Sequence, residues 1–255
     1  MLQQTQASRV APAYRAFLER FPTVWSLAAA SPRDVVAAWD GLGYNRRAVA
    51  LSESARTIVG DHGGRVPSDP VVLQRLPGVG PYTAAAVASI AFGAPVAAVD
   101  TNARRIVARA FLGVEPDEAP AAEIRALAEK WLDREDPGAW NQALMDLGRE
   151  VCRPLARCDV CPLRPGCRFA AEGREPRIGK GRQPPFEGSF RQVRGAVVSR
   201  LRCRPDATLA GLAGETGLPL DCVASAVVAL ALDGLVEAGP AALAGRLRGR
   251  VRLAG

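Results

Sequence analysis

Histidine is almost missing from this 255-residue chain: there is one, His62, in the turn-like stretch "DHGG". A Ser-His-Asp triad needs an imidazole to take the serine proton, and catalytic zinc is usually held by several imidazoles. A single solvated loop histidine leaves both chemistries without material, so carboxylates, tyrosines and cysteines are the groups to follow. Long apolar runs are missing too. The longest, "AAAVASIAFGAPVAAV" at 84–99, is broken by Gly93 and Pro95 and is too short for a bilayer helix. No basic segment followed by an apolar one opens the chain, so neither an export signal nor a membrane partner is expected. Strand-like alternation of apolar and polar residues does not occur between residue 8 and about 170, and there is no internal repeat.

What fills that stretch is helix. Ala- and Leu-rich segments of 8 to 15 residues alternate with Gly/Pro turns, which predicts an all-α body. "SPRDVVAAW" sets Ser31 before Pro32, and "SDPVVLQRL" sets Asp69 before Pro70; each is a capping residue followed by proline in the first turn. The opening "MLQQTQASRV" puts Leu2, Gln6 and Val10 on one side of a helix with no capping residue ahead of them, so it reads as helix interior. Residues 174–189, "REPRIGKGRQPPFEGS", read as a linker. Three short helices are expected beyond it, in "FRQVRGAVVSRLR", "ATLAGLAGETG" and "PLDCVASAVVALALDGLV", then a small hairpin in "GRLRGRVRLAG", an order resembling a winged helix. A net charge of +7 favours a polyanionic partner, though basicity alone is weak evidence.

Three stretches carry chemistry. In "LQRLPGVGPYTAAAVASIAF" at 73–92, one helix ends, Gly78, Val79 and Gly80 make a tight turn, and Pro81 starts another helix. Such a turn lets a ligand approach the backbone, and the N–H groups at the new helix start can grip a phosphate. In "AVDTNARRIVARAF", Asp100 stands ahead of a basic amphipathic helix, where it can both cap the helix and stabilise positive charge nearby. The third is "CRPLARCDVCPLRPGC", with Cys152, Cys158, Cys161 and Cys167 separated by five, two and five residues. Without an export signal these thiols are expected to be reduced and to hold metal. Zinc sites come as two close pairs, so the single compact run favours a [4Fe–4S] cluster. Cys203 and Cys222 read as ordinary helix or core residues.

Hairpin, aspartate and cysteine run, in that order, resemble the helix-hairpin-helix DNA glycosylases of the endonuclease III superfamily. "MLQQTQ", "RFPTVWSLAAA", "WDGLGYNRRAVAL", "LPGVGPYTAAAV", "VDTNARRIVAR" and "NQALMDLGREVC" look specifically MutY-like. The resemblance covers about residues 1–170. It implies a six-helix domain with the hairpin over 1–97, a [4Fe–4S] domain over 98–172, a linker over 173–189 and a winged-helix-like module over 190–255. It implies a monomeric bacterial cytoplasmic protein, associated with the nucleoid, that removes adenine mispaired with 8-oxoguanine or guanine in double-stranded DNA. Asp100 would stabilise the oxocarbenium-like charge on the sugar, with Tyr82 orienting the reacting groups. Tyr82 stands where the superfamily's bifunctional members carry the imine-forming lysine, so water would be the nucleophile. Gln4 and Tyr44 would wedge apart the lesion pair, with Thr5 near the opposite base and Gly78, Val79 and Gly80 on the DNA backbone. The family's general acid, a glutamate, lies two residues before the methionine of "MLQQT", which here is Met1, so the resemblance expects an upstream start. Alternatives are an impaired mismatch-binding relative and an endonuclease III-like pyrimidine glycosylase. Two departures stand out: Asn45 replaces the second tyrosine of a frequent pair, and five residues rather than six separate Cys152 from Cys158.

Overall fold

The computed structural model describes residues 1–2, 5–177, 185–204 and 206–255; Gln4 lies outside them. Two compact units emerge, one made of Met1–Val66 with Gln183–Gly255 and the other of Pro67–Arg182. Compactness thus divides the chain at Val66/Pro67, not at the segment boundary 97/98, because the C-terminal helices share a core with the first four helices.

The first unit opens with α1 (Ala7–Arg20), α2 (Val24–Ala29), α3 (Pro32–Ala38) and α4 (Arg46–His62). Thr23 forms a capping box with Ser26, and the Ser31 hydroxyl accepts the Asp34 N–H, satisfying free amides at the starts of α2 and α3. The first helix starts later than the sequence pattern suggests. It begins at Ala7, Leu2 is 66% exposed, and the Thr5 hydroxyl is spent on the Leu42 carbonyl instead of capping. His62 is the last residue of α4, not a loop residue.

The C-terminal part contributes α11 (Phe190–Cys203), β1 (Asp206–Thr208), α12 (Leu209–Thr216), α13 (Leu220–Leu232), β2 (Val236–Ala238), α14 (Pro240–Leu243) and β3 (Arg250–Leu253). Its sheet runs β1-β3-β2, antiparallel throughout, with Ala207 opposite Val251 and Val236 opposite Leu253. The expected hairpin inside 245–255 is therefore a single strand paired on both sides. "RVRL" alternates only once around, with Val251 and Leu253 buried, so that segment has material for one strand. Val10, Phe17, Val36 and Trp39 join Val197, Leu201, Leu212 and Val227 in one continuous apolar core.

The second unit holds α5 (Pro70–Leu73), α6 (Pro81–Phe92), α7 (Thr101–Val107) running into a π-helical turn at Ala108–Leu112, α8 (Ala121–Trp131), α9 (Pro137–Glu150) and α10 (Arg168–Ala171). Buried Asn141 on α9 donates to the Ser89 hydroxyl and the Val96 carbonyl and accepts from the Ala98 N–H, pinning the extended link between α6 and α7. Among the described residues no single helix is long and apolar enough to cross a membrane.

Candidate active site

The turn between α5 and α6 is tight. The Val79 N–H donates to the Leu76 carbonyl, Gly78 takes φ +73°, and Gly80 caps α6 with Pro81 in its first turn. Gly78 and Gly80 are exposed, so their backbone is open to a ligand. A side chain at Gly78 would be strained in that left-handed conformation.

Asp100 is the N-cap of α7. Its Oδ1 accepts the N–H groups of Asn102 at 2.8 Å and Ala103 at 2.7 Å, and its Oδ2 accepts the Asn102 side-chain amide at 3.1 Å. The carboxylate is held by three donors yet remains partly open. Asn102 is itself held, since its Oδ1 accepts Arg105 Nη2 at 2.9 Å; that arginine also donates to the Gly148 carbonyl at 2.7 Å and, through Nε, to the Cys152 carbonyl at 2.6 Å. A chain of hydrogen bonds thus runs from the aspartate to the first cysteine of the metal-type run. Tyr82, in the first turn of α6, lies close enough to feel the Asp100 charge. Burial first, and that charge second, push its phenol above the ordinary tyrosine range, so it stays neutral. Its hydroxyl donates to the Met145 sulfur at 3.6 Å.

Thr5 and Tyr44 lie in the first unit and meet on one arginine. Arg47 Nη2 donates to the Thr5 hydroxyl at 3.0 Å and to the Leu42 carbonyl at 3.0 Å, and its guanidinium packs over the rings of Trp39 and Tyr44. The turn it holds, "DGLGYN", is unusual. Gly41 and Gly43 take positive φ, as glycines do, but so does Tyr44, at +45° with its side chain exposed. It is the sole non-glycine residue with positive φ among the described residues. A bulky residue there is costly and persists only where its surroundings over-determine it.

All four clustered cysteines, none disulfide-bonded, line one small cavity together with Arg109, Val151, Arg157, Arg164 and Phe169. Among the described residues no three Cys, His, Asp or Glu side chains converge on a single ion. An all-thiol donor set in an otherwise apolar and cationic shell fits an iron–sulfur cluster. Arg109, only 2% exposed, ties the loop down. It pairs with Glu115 at 2.8 Å and donates to the Arg153 and Pro154 carbonyls and the Cys152 sulfur.

A family model described as HhH-GPD superfamily base excision DNA repair protein matches residues 1–134. The chain belongs to the HhH-GPD superfamily. A relative from Mycolicibacterium smegmatis, named adenine DNA glycosylase, is 41% identical over 203 residues, covering 79% of this HhH-GPD chain and 69% of the relative. Among solved structures, a thermostable thymine-DNA glycosylase superimposes with TM-score 0.62 at 30% identity, covering 67% of this chain and 80% of that one. A trapped endonuclease III–DNA covalent intermediate superimposes with TM-score 0.59 at 25% identity, covering 68% and 81%.

Several residues that shape this HhH-GPD site are not conspicuous in the sequence. Arg105, Arg109 and Arg47 sit in Arg-rich stretches where each could as well be a solvated charge, and Asn102 beside them could as well be a solvated amide. Asn141 leaves a faint signal, a polar residue on the apolar face of α9. Within the second unit the structure brings together Asp100, Tyr82, the hairpin and the four cysteines; Thr5 and Tyr44 come together in the first.

Proposed function

We propose that this HhH-GPD chain is a monofunctional DNA glycosylase, acting as a monomer, that releases adenine mispaired with 8-oxoguanine or guanine in double-stranded DNA. The observation that carries the reading is the Asp100 carboxylate, fixed by three donors at the head of α7 beside a neutral Tyr82. As the glycosidic bond breaks, positive charge grows on the sugar, and a pre-oriented carboxylate lowers that barrier because it does not reorganise during the reaction. The adenine must first leave the helix stack, and Tyr44 is the exposed aromatic suited to fill the gap. Thr5 and Gln4 would sit at the lesion pair, and the Gly78–Gly80 backbone would hold a phosphate. Cys152, Cys158, Cys161 and Cys167 would hold a [4Fe–4S] cluster, which when bound cross-links the loop after α9.

No lysine stands at Tyr82, so that position cannot form an imine with the sugar, and water completes the reaction. The test is single-turnover adenine release from a duplex with adenine opposite 8-oxoguanine, using the chain with and without a Glu-Val pair placed before Met1, where the family resemblance sets the acid. Release that falls by about a hundred- to a thousandfold in Asp100→Asn, with no borohydride-trapped adduct, is the expected result. Absence of release from both forms, or a trapped adduct, would overturn the reading.

A further inference from the structure

The C-terminal part of the chain has no place in the chemistry above, yet it reaches the strained Tyr44 turn directly. Arg202, near the end of α11, has a side chain only 14% exposed. Its guanidinium spans the turn's two ends: it pairs with Asp40, donates through Nη2 to the Asn45 side-chain oxygen at 2.9 Å, and donates through Nε to the Val36 carbonyl at 3.1 Å. Just past the turn, Arg46 pairs at 3.7 Å with Asp233, which follows α13 and is also bound by Arg194 of α11. Gly41, Gly43 and Tyr44, the positive-φ residues, lie between these anchored points.

From this clamp we infer that the C-terminal module is a positioning device for Tyr44, with Arg202 as its key residue. A planar guanidinium can bind two acceptors at a fixed spacing, so it sets the distance between Asp40 and Asn45 and thereby holds Tyr44 in its left-handed conformation. Arg47, in the first turn of α4, packs on the same ring and donates to the Leu42 carbonyl inside the turn. Asn45 is the acceptor Arg202 uses, and a tyrosine there would offer no amide oxygen. The inference rests on the glycosylase reading, in which Tyr44 opens the lesion pair.

The test is a double-mutant cycle in the full chain, read as the ratio of affinities for a duplex with adenine opposite 8-oxoguanine and a fully matched duplex. Arg202→Ala should lower that ratio about tenfold in the wild-type background and hardly at all once Tyr44→Ala is present, since neighbours acting through one another are not additive. Arg202→Lys, which keeps the charge but loses the fork, should fall between. Should Arg202→Ala fail to fold, Asp40→Ala with Asn45→Ala removes the same clamp from the turn's side. A purely structural role would lower both affinities alike and would add to Tyr44→Ala; either result overturns the brace. If Tyr44→Ala lowers the ratio and Arg202→Ala does not, the brace alone fails. If the wild-type chain shows no preference for the mispair, the glycosylase reading fails and takes the brace with it.

Discussion

At the scale of single residues, the site depends on side chains that position others. Arg109 and Glu115 form a buried ion pair, and removing one partner of such a pair leaves an uncompensated charge that costs roughly 3–5 kcal/mol. Glu115→Ala is therefore expected to lower the unfolding free energy of the second unit by that amount, read as a lower urea midpoint at unchanged slope, and the purified protein should carry fewer than the four irons per chain that a full cluster would require. Gly148 makes a different demand. A Cβ built there lies 2.5 Å from the Asn102 Cβ, so α9 could not pack on α7 as it does. Gly148→Ala should cost about 1–3 kcal/mol by overpacking and, because Asn102 holds Asp100 Oδ2, should slow base release as well as lower the melting temperature. Asp100 was legible in the sequence because one residue type serves both cap and carboxylate. Arg109 was not, because whether an arginine on an amphipathic helix points out or in depends on a π-helical turn, Ala108–Leu112, that leaves no mark in the periodicity.

At the scale of elements, caps and turns were the most readable features. Ser31-Pro32 and Asp69-Pro70 start helices as their chemistry requires, and the Gly78–Gly80 turn lies where two glycines flank one apolar residue. The first helix and the last hairpin were misjudged for the same reason: both are set by partners distant in sequence. Thr5 turns to Leu42, and β3 is claimed by β1 as well as β2. The C-terminal elements also carry acid sensitivity. Glu215 is held below the usual carboxylate range mainly by its hydrogen bond from Arg200, and Glu237 mainly by the Gly255 N–H, then by Arg252. A depressed folded-state value means the favourable contribution is present above the ordinary carboxylate range and is lost as pH falls through the folded-state value. The melting temperature should thus fall more steeply in the wild type than in Glu215→Gln/Glu237→Gln as pH drops below about 5, with the two curves parallel between neutral pH and that point; parallel curves throughout would show that these pairs do not contribute.

At the scale of the whole chain, one unit is continuous and the other is built from both ends. The resemblance covering residues 1–170 could not reveal this, because no local pattern says that Val197 and Leu201 will pack with Phe17 and Trp39. Removing residues 190–255 is expected to strip amide-exchange protection from α1 to α4 while leaving α6 to α9 protected; retained protection in α1 would show that the first helices need no cover. The divided unit also sets a schedule for synthesis. The second unit is synthesised in one stretch, Pro67–Arg182, whereas α1, finished at Arg20, must wait for β3, which ends at Leu253. At about 5–20 residues per second that wait is roughly ten to fifty seconds, during which the apolar stripe of Val10 and Phe17 lacks its native cover. Nascent chains stalled in that interval should be the form of this protein most dependent on holding chaperones.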